Sequence, residues 1–178
     1  CRLEYAVNGK GDLQVRMDYR PLKDGLQLIP KVGMRMRIPA EYSQVSWYGR
    51  GPHENYPDRK SGYFIGQYSM PLDEFIFDYA SPQDNANRCD TRWFSLGNGS
   101  RDIEIHGLQE LNFRAWPYGE EDLEGSAHPF DIPARDFINV NIDFKIHGVG
   151  GNDGWGARTM DAYTIDPAQP YSFGFIIR

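Results

Sequence analysis

The chain has 178 residues, 40% hydrophobic and 14% aromatic, enough for one domain with a substantial core and incompatible with disorder. A formal net charge of -6 argues against nucleic acid and anionic membrane surfaces as partners, and no apolar run approaches the roughly 20 residues of a membrane-spanning helix. Cys1 and Cys89, with no CxxC, make neither a disulfide scaffold nor a cysteine zinc site.

The chain opens on Cys1-Arg2-Leu3-Glu4-Tyr5 without an apolar leader, so the expectation is a removed leader or a piece of something longer. Alternation then dominates. Leu13, Val15, Met17 and Tyr19 predict a half-buried strand, as do Met34, Met36 and Ile38. Asn8-Gly9 and Asp24-Gly25 supply turn chemistry for joining antiparallel strands. Gly51 to Arg59 holds two prolines, two acids, an amide, a tyrosine and an arginine, a composition that predicts a rigid loop. Its Arg59 would be locked by Glu54 or Asp58.

Asn98-Gly99-Ser100 fits a glycosylation acceptor but reads first as a hairpin turn before Ile103 and Ile105. Leu111, Phe113 and Ala115 predict a further strand. Pro117-Tyr118-Gly119 introduces the one short helix, Glu120 to Glu124, whose acids are expected on a solvated face. Ile138, Val140, Ile142, Phe144 and Ile146 alternate again, and Tyr171, Phe173 and Phe175 predict the last strand. No linker or internal repeat divides the chain, which reads as a single domain over 1-178, an antiparallel sandwich pattern.

Chemistry-bearing candidates are few. His53, His106, His128 and His147 form no i, i+4 pair, and none adjoins a serine or cysteine in a nucleophile motif. Gly148 to Gly154 departs from a phosphate loop, since Asp153 takes the third glycine's place and no helical sequence follows. Trp155, set among glycines after Asn152-Asp153, is expected to project from the domain, and a projecting indole suits a sugar face, another aromatic or a subunit contact.

The run Trp47-Tyr48-Gly49-Arg50-Gly51-Pro52-His53-Glu54-Asn55-Tyr56-Pro57-Asp58-Arg59 resembles the WxGxGPxENYPDR signature of the C-terminal small-chain domain of LacZ-type β-galactosidases, in glycoside hydrolase family 2. Collinear matches follow. Pro82-Gln83-Asp84-Asn85 to Arg88-Cys89-Asp90-Thr91-Arg92 resembles a second family stretch, with Ala86 where glycine is common, and Glu121-Asp122-Leu123 to His128 resembles a third. Asn141-Ile142-Asp143 through Gly148-Val149-Gly150-Gly151-Asn152-Asp153-Gly154-Trp155 resembles the family's ending, with Gly154 and Gly156 where serines are found.

This resemblance implies an all-β, antiparallel supersandwich of the galactose mutarotase-like kind, of which the chain would be the later part. It implies a parent enzyme that hydrolyses terminal β-D-galactosides by a retaining mechanism, with its two catalytic glutamates in a separate TIM-barrel domain. Magnesium and sodium would be held outside this segment, which itself needs no cofactor and carries no catalytic residue. Trp155 would be the substrate-binding residue, and Gly51, Pro52, Glu54, Asn55, Tyr56, Pro57, Asp58 and Arg59 a structural motif. Partners would be the barrel, the galactoside and, if strands are missing, a second copy of the chain. The alternative is a stand-alone carbohydrate-binding or scaffold domain. Mutarotation needs a histidine facing a carboxylate across a cleft, and no motif here predicts that pair.

Overall fold

A computed structural model describes residues 1-178. Nine strands carry the fold: β1 (Arg2–Val7), β2 (Leu13–Tyr19), β3 (Lys31–Pro39), β4 (Gln44–Gly51), β5 (Phe64–Pro71), β6 (Arg88–Gly97), β7 (Asp102–Trp116), β8 (Phe137–Ile146) and β9 (Tyr171–Ile177). Two short α-helices, α1 (Leu72–Phe75) and α2 (Glu120–Gly125), and two single 3-10 turns (Pro129–Asp131 and Asp161–Tyr163) complete it. The strands pair antiparallel in the order β1-β2-β9-β7-β6-β4-β5, while β8 pairs β7 on one side and β3 on the other.

β7 is the branch point. The two apolar runs expected as separate strands form one element of 15 residues, because residues of odd number keep the same face throughout. Its first half pairs β9 at Ile105 to Gly107, and its second half pairs β8 at Asn112 to Trp116. The register against β6 slips around Thr91, so the four residues after His106 have no partner there and the sheet bends. The bend folds the sheet around one core, in which Phe94 and Phe113 stack and Trp47 meets Phe75 edge to face.

The hairpin turns are only partly as expected. Asn98 Oδ1 accepts from the N–H groups of Ser100 and Arg101, and Gly99 takes a positive φ, so the Asn98-Gly99 turn joins β6 to β7. Asn8 closes the β1–β2 turn through its side-chain Oδ1, which accepts from the N–H groups of Lys10 and Asp12, but the left-handed residue is Gly11. Asp24-Gly25 joins no antiparallel neighbours. β2 pairs β1 and β9, whereas β3 pairs β8, so Gly25 turns within a long crossing connection.

The largest departure from alternation is β8. Ile138, Val140 and Ile142 point into the core as expected, yet Asn139, Asn141 and Asp143 between them are also buried. Their face is covered by α2 and lined by Arg114 and Trp116 of β7 and Arg35 and Arg37 of β3. At the sheet's other end, Leu3, Tyr5 and Val7 of β1 remain exposed.

Candidate functional site

The Gly51–Arg59 motif begins as the end of a strand. Gly51 closes β4 with no room for a side chain, since a Cβ there would lie 2.8 Å from the Tyr68 ring. Pro52 and His53 are exposed, and the following residues turn inward. Asn55 exchanges backbone and side-chain hydrogen bonds with the β6 approach: its Oδ1 accepts from Cys89 N–H at 2.9 Å, and Asn87 Nδ2 donates to its carbonyl at 2.7 Å. Glu54 receives Arg59 at 2.5 Å, one of the two pairings the sequence allowed, and its other oxygen accepts from Ala86 N–H at 2.7 Å.

That contact gives Ala86 its meaning. Its φ of 66 lies in the left-handed region, where glycine is free of the Cβ penalty, and Glu54 holds it there. The motif thus fixes the entry to β6, as well as its own conformation. Burial and the neighbouring Asp84 carboxylate raise the Tyr56 phenol well above its ordinary pKa, so it keeps its proton and donates a hydrogen bond to Asp84 Oδ1 at 2.5 Å. Pro57 lies on the wall of a cavity of about 480 Å³ that also reaches Lys60 and Tyr163.

Asp58 does something else. Instead of pairing Arg59 it accepts from Gly150 N–H at 2.7 Å, tying the motif to the loop that follows β8. Gly148 packs so closely that a Cβ would lie 2.7 Å from the Asp58 carboxyl carbon, and Thr159 Oγ1 donates to the Gly148 carbonyl. Gly150, Gly151 and Gly156 all take positive φ. The loop tip has its own brace: Asp153 Oδ1 accepts from the N–H groups of Trp155 and Ala157, and these bonds hold its pKa below the usual carboxylate range. Beyond this clamped base Trp155 stands 94% exposed.

Glycine at 156 therefore serves the loop's path, while glycine at 154 meets nothing within 4 Å. Asp58→Ala removes a charge-assisted bond to the backbone, a loss of about 1.5–3 kcal/mol in local stability. The expected result is amide exchange at Gly150 about tenfold or more faster, with β8 protection unchanged. Equal exchange rates would show that Thr159 and the glycine torsions suffice.

The acidic helix is corrected by the structure. Glu120 and Asp122 do not form a solvated face, although Glu121 and Glu124 are exposed. Asp122 is buried, accepts from Gly119 N–H at 2.8 Å and pairs Arg135, which closes the first turn of α2. Glu120 reaches the polar face of β8, where one oxygen accepts from Lys31, from Arg114 at 2.9 Å and from Asn141 at 3.1 Å. Burial pushes its pKa up, but these donors and the Lys31 and Arg114 charges outweigh it and carry Glu120 down to about 2.

Arg114 also pairs Asp84, so a continuous chain of polar contacts runs from Tyr56 through Asp84 and Arg114 to Glu120. Sequence reasoning missed this cluster because alternation assigns every second strand residue to solvent. A signal was present nonetheless. Asn139, Asn141 and Asp143 are poor strand formers where lysine or threonine would ordinarily face water, and such residues inside a strand mark specific polar partners.

Comparisons with known proteins agree with the signature. A family described as beta galactosidase small chain matches residues 1–177. The beta-galactosidase of Priestia megaterium is 33% identical over 179 residues, which cover 100% of this chain and 17% of that protein. Those of Halalkalibacterium halodurans and Vibrio cholerae are 33% and 34% identical, covering 99% and 96% of this chain and 18% and 16% of theirs. The chain thus spans under a fifth of the length of these relatives. With its signature loop, its all-β antiparallel sheet and a match over nearly its whole length, the chain belongs to the β-galactosidase small chain family.

Proposed function

We propose that this domain, 1-178, serves a β-galactosidase by holding Trp155 as an aromatic wall over the acceptor side of a galactoside pocket built by a TIM barrel elsewhere in the parent. The observation that carries this reading is the 94% exposed indole on a loop whose base is clamped by Asp58. A flat apolar face held out by fixed backbone suits the C–H face of a sugar ring. In this reading the sheet is part of a galactose mutarotase-like supersandwich, and the exposed β1 row of Leu3, Tyr5 and Val7 is a surface for more of the parent. Bond cleavage, the catalytic glutamates and the magnesium and sodium sites belong to the rest of the enzyme.

The test is Trp155→Ala in the full-length parent. Losing one large apolar contact of about 1–3 kcal/mol raises KM for galactosides and weakens acceptor binding by roughly 5- to 150-fold, with a smaller effect on kcat. Unchanged kinetics overturns the role of the indole. Turnover of a galactoside by the 178-residue chain alone overturns the division of labour.

A further inference from the structure

The polar face of β8 borders two cavities unconnected with the tryptophan loop. The larger, about 340 Å³, falls at the small end of the roughly 300–1,000 Å³ of small-molecule sites. Leu123, Pro30 and Pro82 give it apolar wall, and Asp84, Arg114 and Gln83 give it polar groups. The smaller, about 190 Å³, is lined by Arg35, Asn141 and Asp143. Lys31 and Glu120 border both, so their ion pair is a shared partition.

We infer that this two-lobed cleft is a second binding site, for a neutral monosaccharide ring or sugar terminus. Three observations point to that chemistry. First, charges of both signs interleave: Lys31, Arg35 and Arg114 stand among Asp84, Glu120, Glu124 and Asp143, so no strong field of one sign selects a lone anion or cation. Second, the buried groups are not all satisfied. Asp143, 1% exposed, makes no hydrogen bond through its side chain, and its Oδ2 and the Nε of Arg114, one in each lobe, lack partners.

An acceptor and a donor without partners suit hydroxyls, which give and receive from the same atom. Third, the apolar wall lies beside this polar set, as an amphipathic ring requires. The small lobe exists because Gly33 stands opposite Asp143, where a Cβ would lie 2.7 Å from the Asp143 Cα.

The experiment is an NMR titration of the isotope-labelled 178-residue chain with D-galactose, with inorganic phosphate and calcium chloride as parallel probes. The expected result is saturable, millimolar movement of the Trp116 indole N–H and Asn141 amide signals. Trp155→Ala retains that movement, so this site and the projecting indole stand or fall separately. Gln83→Trp, a change at an exposed residue on the larger lobe, blocks it without disturbing the core. Lys31→Met weakens affinity by about tenfold or more, equivalent to about 1.4 kcal/mol. Signals that stay still at near-saturating galactose, that move only around Trp155, or that respond to phosphate or calcium instead overturn the proposal.

Discussion

Arg114→Met lowers unfolding free energy by about 3 kcal/mol, an expectation that follows from what the guanidinium holds. It is almost wholly buried, pairs Asp84 through one nitrogen and Glu120 through the other, and lies 4.1 Å over the Trp116 ring. Methionine fills much of the volume but strands two carboxylates. Asp84 and Glu120 keep side-chain exposures of 39% and 31%, so water recovers part of their solvation, and the cost falls at the low end of the range for breaking a buried pair.

Arg114→Lys should recover only part of the loss, because one ammonium cannot present the planar fork that bridges both acids. Urea unfolding of the three proteins measures this directly. A methionine variant as stable as the parent would mean that the ion pairs merely offset their own desolvation.

The strands that alternate against solvent were legible: the β2 pattern coincides with the observed strand, and the final aromatic alternation is β9. Arg88 shows where legibility ends. It sits in β6 wholly inside the core, donating to the Ala86 and Phe75 carbonyls between the rings of Trp47 and Phe75, a placement no hydrophobicity pattern assigns to arginine. Burial pulls it down to about 9, which leaves it charged at neutral pH.

The Asp58 link to Gly150 was hidden for a different reason. It joins positions 92 apart, and local composition offered Arg59 as a nearer partner for the same carboxylate. The projecting indole was readable because four positive-φ-tolerant glycines leave a large ring nothing to pack on.

Asp143→Asn should change the pH dependence of stability more than any other single substitution in the domain. Burial raises the Asp143 pKa from 3.8 to about 7, against the opposing pull of Arg114 on β7 and Lys31 on β3 and with the carboxylates of Asp84 and Glu120 pushing the same way. A folded-state pKa above the unfolded one means that folding takes up a proton between those values. The stability this contributes is complete below about pH 4 and is lost as pH rises to about 7, a difference of up to about 4 kcal/mol.

Glu120 acts oppositely: with its pKa lowered from 4.5 to about 2, its contribution is present above pH 4.5 and disappears as pH falls through about 2. The parent should therefore be most stable near pH 4 to 5 as far as these two groups decide it. Asparagine keeps the size of the side chain and removes the charge, so the variant loses the decline between pH 4 and 7 and is the more stable protein at pH 8. The amide hydrogens it introduces meet the donor-only groups of Arg114 and Lys31 and cost about 1–3 kcal/mol at every pH, which lowers the whole curve without restoring its slope. Subtracting the two unfolding curves cancels histidines and exposed acids, and a difference that stays flat from pH 4 to 8 would mean that Asp143 remains ionised in the fold, with Lys31 and Arg114 together outweighing its burial.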